Sequence, residues 1–127
     1  MGAARGWGFV VLAALFLGQI YALYLYVPAP GPGAPYLDKV AHLLTFGVPA
    51  AVAAALRLRA VLVLLVLHAV ISEPLQALLP VDRGADVLDL VADLMGIVVG
   101  MLIGWGVAAR WDICAARRES RLGSEDR

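Results

Sequence analysis

The sequence predicts an all-α membrane protein of four transmembrane helices, with both termini cytoplasmic and spans 3 and 4 folded as a tight hairpin. Three observations predict it. Apolar residues make up 62% of the 127 residues and charged residues 16%, against about 45–50% and about 25% in soluble domains. That apolar share is enough for four spans of about 20 residues each. Charges are also absent over long stretches: between Arg5 and Asp38, Lys39 and Arg57, Arg59 and Glu73, and Asp93 and Arg110. Such a composition excludes a soluble enzyme, a disordered chain and a nucleic-acid binder. Ten basic residues balance ten acidic ones, so no net field steers polyanions toward the chain. The lone Cys114 excludes an internal disulfide framework and a multi-cysteine zinc site.

The spans follow in order. Span 1 covers residues 7–27 and ends at the run P-A-P-G-P-G-A-P, residues 28–35, which cannot continue a helix. Its apolar stretch is longer than an ordinary signal-peptide core, so it is read as a retained span. Span 2 covers 37–56, span 3 covers 60–79 and span 4 covers 87–109. Spans 3 and 4 reach the length needed to cross the hydrocarbon only by taking in Glu73 and Gln76, and Asp89 and Asp93. Their acids therefore lie at the span ends or inside the membrane. The break P-V-D-R-G-A at 80–85 is short enough to make the hairpin. Residues 1–110 form one transmembrane domain, and 111–127 a polar cytoplasmic tail expected to fray.

Basic residues set the orientation. With both termini inside, Arg5, Arg57, Arg59, Arg110, Arg117, Arg118, Arg121 and Arg127 face the cytoplasm, and only Lys39 and Arg83 face out. This is a positive-inside pattern. Trp7 and Trp111 mark the inner boundary, and Tyr24, Tyr26 and Tyr36 the outer one.

In that topology the polar residues converge on the outer side. Asp38, Lys39 and His42 open span 2, Glu73 and Gln76 close span 3, and Arg83, Asp86, Asp89 and Asp93 open span 4. At about 100° per residue, Asp86, Asp89 and Asp93 fall within about 60° of one another. Gly96, Gly100 and Gly104 continue the same face, and small residues at this spacing let helix backbones approach. Asp38, His42, Thr45 and Pro49 share one face of span 2. Pro49 and Pro74 free the carbonyls of Thr45 and Val70, which is tolerated where protein or a wet cavity meets them. Intramembrane acids are expensive, so the cluster is expected to be functional, its repulsion relieved by Arg83, Lys39 and one bound cation or proton.

Structural roles stand beside each functional one. Asp86 is placed to cap span 4. His42 can bond Asp38 one turn earlier. His68, about 140° from Glu73, is expected to bond another helix rather than join the cluster. The glycine stripe is read as packing, and the basic tail as a topology determinant.

Three blocks carry a resemblance: D-K-V-A-H-L-L-T-F at 38–46, E-P-L-Q at 73–76, and R-G-A-D-V-L-D-L-V-A-D-L-M-G-I-V-V-G at 83–100. Together and in this order they resemble the VanZ-like family, small four-helix membrane proteins named after an accessory factor in teicoplanin resistance. The matching positions are Asp38, Lys39, His42, Glu73, Gln76, Arg83, Asp86, Asp89, Gly96 and Gly100. The family usually has asparagine where this chain has Asp93, and Pro74 interrupts its Glu-x-x-Gln. The resemblance implies a multi-pass protein of the bacterial inner or cytoplasmic membrane with envelope or glycopeptide-antibiotic associations.

The leading functional expectation is a binding module. Asp38, Lys39, His42, Glu73, Gln76, Arg83, Asp86, Asp89 and Asp93 would hold a lipid headgroup, a cell-wall precursor or an amphiphilic antibiotic. The alternatives are an intramembrane enzyme on a lipid-linked substrate, with general acid–base groups but no nucleophile beyond Ser72 or Thr45, and a proton- or cation-coupled carrier. The expected partners are membrane lipids, a lipid-linked or glycopeptide ligand and a second copy of the chain, with no nucleic acid. Neither a cofactor nor a metal is expected.

Overall fold

The computed structural model describes residues 2–26, 35–78 and 86–125. Four helices account for nearly all of them. Helix α1 spans Gly2–Ile20 and passes into one π-helical turn, Tyr21–Leu25. Helix α2 spans Pro35–Ala55, α3 spans Arg59–Leu78 and α4 spans Val87–Glu125. Each, α1 together with its π-helical turn, contains a stretch long and apolar enough to cross a membrane: Gly6–Leu25, Tyr36–Ala55, Arg59–Leu78 and Val87–Leu122.

Local sequence explains the helix ends. Pro35 opens α2, where its missing N–H loses no helical bond. Arg57 ends it in the left-handed region, with φ 59°. The Leu58 N–H donates to the Ala53 carbonyl at 2.8 Å and the Arg57 N–H to the Ala54 carbonyl at 3.0 Å. This pair of bonds is a Schellman cap, with arginine where glycine is the usual residue. Leu58 then leads directly into α3. Asp86 caps α4: its Oδ1 accepts from the Leu88 N–H at 2.9 Å, satisfying one of the free donors of the first turn.

The main contact of the bundle is α2 against α4, which run parallel. Gly96 lies on Leu43, Gly100 on Gly47 and Gly104 on Ala51. At each of these three glycines a Cβ would overlap the backbone carbonyl oxygen of the facing residue. The glycine stripe therefore packs backbone on backbone, as its spacing predicts. Around this seam Phe46, Ala50, Ala53, Ala54, Leu65, Ala69 and Ile97 are buried. Leu12 and Leu23 bring the first helix into the same core. Large apolar residues on the outer faces, such as Leu17, Leu64, Ile71 and Ile103, are exposed on the isolated chain. In a membrane protein these faces meet lipid.

One expectation fails. The tail does not fray after residue 110; α4 continues as helix to Glu125. Its 39 residues make a rod of about 58 Å at 1.5 Å per residue, well beyond the bilayer's hydrocarbon thickness of about 30 Å. Arg57, in the turn after α2, pairs with Asp112, which marks the level where α4 leaves the bundle. The run from 113 to 122 is exposed throughout, but it contains Ala115 and Ala116 and no glycine or proline, so no local signal stops the helix.

Candidate functional site

Because α2 and α4 are parallel and α3 runs back between their levels, the N-terminal turns of α2 and α4 meet the C-terminal turn of α3. The polar residues gather there in two layers. In the upper layer Lys39 is the hub. Its Nζ lies 2.5 Å from Asp86 Oδ2, bonds Asp89 Oδ1 and lies 3.8 Å from Asp38 Oδ2. The side chain of Asp38 is 51% exposed and that of Asp86 43%, so this layer opens to solvent. The Lys39 ammonium, helped by the Leu88 N–H, holds the Asp86 carboxyl below its usual range.

The lower layer is closed. His42 Nδ1 and Asp93 Oδ1 are hydrogen-bonded at 3.0 Å, and His42 Nε2 lies 3.9 Å from Asp89 Oδ2. Glu73 Oε2 accepts from the Asp86 N–H at 3.0 Å, tying the end of α3 to the start of α4. His42, Glu73 and Asp93 are 5%, 7% and 0% exposed. Two oxygens in this layer, Glu73 Oε1 and Asp93 Oδ2, are buried without a hydrogen-bond partner. Buried polar atoms are ordinarily paired, so each unpaired one calls for an explanation. Donor atoms of His42, Glu73 and Asp93 all lie within 4.8 Å of one another, and so do those of Asp38, His42 and Asp89.

Of the nine residues expected at the site, seven come together: Asp38, Lys39, His42, Glu73, Asp86, Asp89 and Asp93. The structural alternative for His42 was a bond to Asp38, one turn earlier; the observed partner is Asp93 of α4. Close α2–α4 packing brings the two side chains together, and helical spacing within α2 alone could not reveal it. Gln76 serves a different contact: its Nε2 donates to the Leu23 carbonyl at 3.0 Å, satisfying a carbonyl at the end of the first helix. Arg83 lies outside the described residues. His68 bonds the Tyr24 hydroxyl at 2.9 Å and packs with its ring tilted against Phe46, a cross-helix role as expected. Ser72, one of two candidate nucleophiles, donates to the Ala69 carbonyl at 2.9 Å.

The sequence reading missed one residue. Gln19 of α1 is 2% exposed, and both polar atoms of its amide are buried without a partner. It lines a cleft of about 300 Å³ between α1 and α2, with Gly18, Leu44, Thr45, Val48 and Pro49. The available signal was a lone amide in the middle of an uncharged span.

Four membrane-crossing helices with a layered ionic cluster at one end define a multi-pass membrane protein in contact with lipid. The chain belongs to the VanZ/LLP1 family, whose model matches residues 5–109. That match takes in every site residue and leaves out the end of α4. Neither a curated protein nor a solved structure was found to match the chain.

Proposed function

We propose that the cluster end is a receptor for the headgroup of an amphiphile at the outer surface of a bacterial cytoplasmic membrane. The headgroup is a cationic or zwitterionic one, from a lipid, a cell-wall precursor or an amphiphilic antibiotic. One observation carries the reading. The carboxylates of Asp38 and Asp86 open to solvent around Lys39, above a closed layer in which Glu73 and Asp93 each keep one oxygen without a partner. An ammonium group entering from the interface meets the carboxylates of the open layer, while its apolar tail stays in lipid. Membership of the VanZ/LLP1 family adds support for an envelope role, and the arginine-rich opposite end supports an outward-facing cluster.

The test is a titration of the purified full chain in detergent micelles with teicoplanin and, separately, with a short-chain phosphatidylethanolamine. Binding is expected to saturate and to weaken at least tenfold in an Asp38→Asn, Asp86→Asn double variant. Equal affinity of wild type and double variant for both probes overturns the reading. Catalysis has less support, since Ser72 is engaged with its own helix.

A further inference from the structure

We infer that His42, Glu73 and Asp93 form a binding site for one first-row divalent metal cation of the zinc or manganese type. The inference goes beyond the headgroup reading and does not require it. The three residues come from α2, α3 and α4, and each is more than nine-tenths buried. Each offers a donor atom, and the three donors lie within 4.8 Å of one another. Two of the three side chains hold a buried oxygen with no partner, Glu73 Oε1 and Asp93 Oδ2.

Charge points the same way. Two carboxylates and a neutral imidazole carry two negative charges, which a divalent ion cancels. The nearest fixed cation among the described residues, Lys39, is already engaged by Asp86 and Asp89. Burying ionised carboxylates without compensation is costly both in a protein interior and in a membrane. A metal ion would satisfy both unpaired oxygens at once.

The donor set selects the ion class. Imidazole nitrogen suits zinc and its first-row neighbours, whereas calcium and magnesium prefer oxygen alone. Three protein ligands leave a coordination position for water or another oxygen donor. Bonds to such an ion are about 2.0–2.2 Å, and each of the two carboxylates has an unengaged oxygen to offer it. The surroundings resemble the outer support of metal ligands in general. The other Glu73 oxygen is held by the Asp86 N–H, which fixes the orientation of that carboxylate. The second trio, Asp38, His42 and Asp89, is the weaker choice, because the Lys39 ammonium bonds Asp89 and lies 3.8 Å from Asp38.

The experiment uses the full chain in detergent, without a polyhistidine tag and with no amphiphile ligand added, so its outcome is independent of headgroup binding. The protein is stripped with chelator, then titrated with Zn2+ and with Mn2+, and the metal retained after dialysis is measured by elemental analysis. About one ion per chain is expected for at least one of the two metals. Affinity should fall at least tenfold in Glu73→Gln and in Asp93→Asn and hold in Asp38→Asn, with folding checked by circular dichroism and gel filtration. Folded wild type that retains no metal, or folded Glu73→Gln and Asp93→Asn variants that bind as wild type does, overturns the inference. X-ray absorption on the wild type loaded with the metal it retains gives a readout that needs no variant. One imidazole nitrogen with oxygen donors is expected, and a shell without imidazole overturns the assignment.

Discussion

At the scale of single residues, Asp93 is the most informative. Its side chain is fully buried, one oxygen accepts from His42 and the other has no partner. Asparagine at this position keeps an acceptor for His42 and removes a charge, whereas alanine leaves the imidazole unpaired. After chelation, Asp93→Asn is therefore expected to melt at or above the wild-type temperature. Asp93→Ala should lose about 1–3 kcal/mol, the penalty for a buried polar group without a partner. Thermal unfolding in mild detergent measures both, and equal losses would mean that Asp93 holds the bundle together through its charge. The sequence placed Asp93 on the acidic face of its helix but could not name its partner. Lys39 was likewise legible as a counter-charge, while its choice of Asp86 and Asp89 over its chain neighbour Asp38 was not. Helical spacing reports which residues share a face, and partners on another helix depend on the register between the two.

At the scale of the elements, the α2–α4 seam sets that register. Gly100 faces the Gly47 carbonyl, a backbone group that cannot swing aside as a side chain does. Gly100→Ala should therefore destabilise the bundle by about 1–3 kcal/mol, the range for overpacking a tight interface. Gly106 provides the control, since a Cβ there meets nothing within 4 Å. Gly106→Ala should be neutral or stabilise by up to about 1 kcal/mol through helix propensity alone. Unfolding curves of the two variants in one detergent decide the matter; similar effects would mean the seam does not form as described. If the seam shifts in Gly100→Ala, the His42–Asp93 and Lys39–Asp89 pairs shift with it, so site and interface are coupled through backbone contact. The glycine stripe itself was readable from spacing. That it meets Leu43, Gly47 and Ala51 was not, because nothing in α2 marks those three residues as a receiving face except Gly47.

At the scale of the whole molecule, the arginine end and the cluster end give the chain a polarity across the membrane. With the cluster outside, Cys114 lies on the cytoplasmic stretch of α4, and it is exposed. A membrane-impermeant maleimide should leave it unlabelled in intact cells and label it after permeabilisation. Ready labelling of intact cells would reverse the orientation and place the cluster inside. The same experiment reports on the α4 extension, since an exposed thiol on a free helix should react fully once reached.

Fold class, the number of spans and the gathering of acids at one membrane face were all set by composition and by the positions of charges. Those properties follow from transfer energies that each residue carries wherever it sits. The path of α4 past Asp112, the pairing of His42 with Asp93 and the contact of Gln76 with the first helix were not readable in this way. Lipid rewards any apolar outer face alike, so hydropathy gives depth without naming neighbours. Only the tertiary structure decided those neighbours, through the parallel, glycine-lined approach of α2 and α4 that joins residues far apart in the chain.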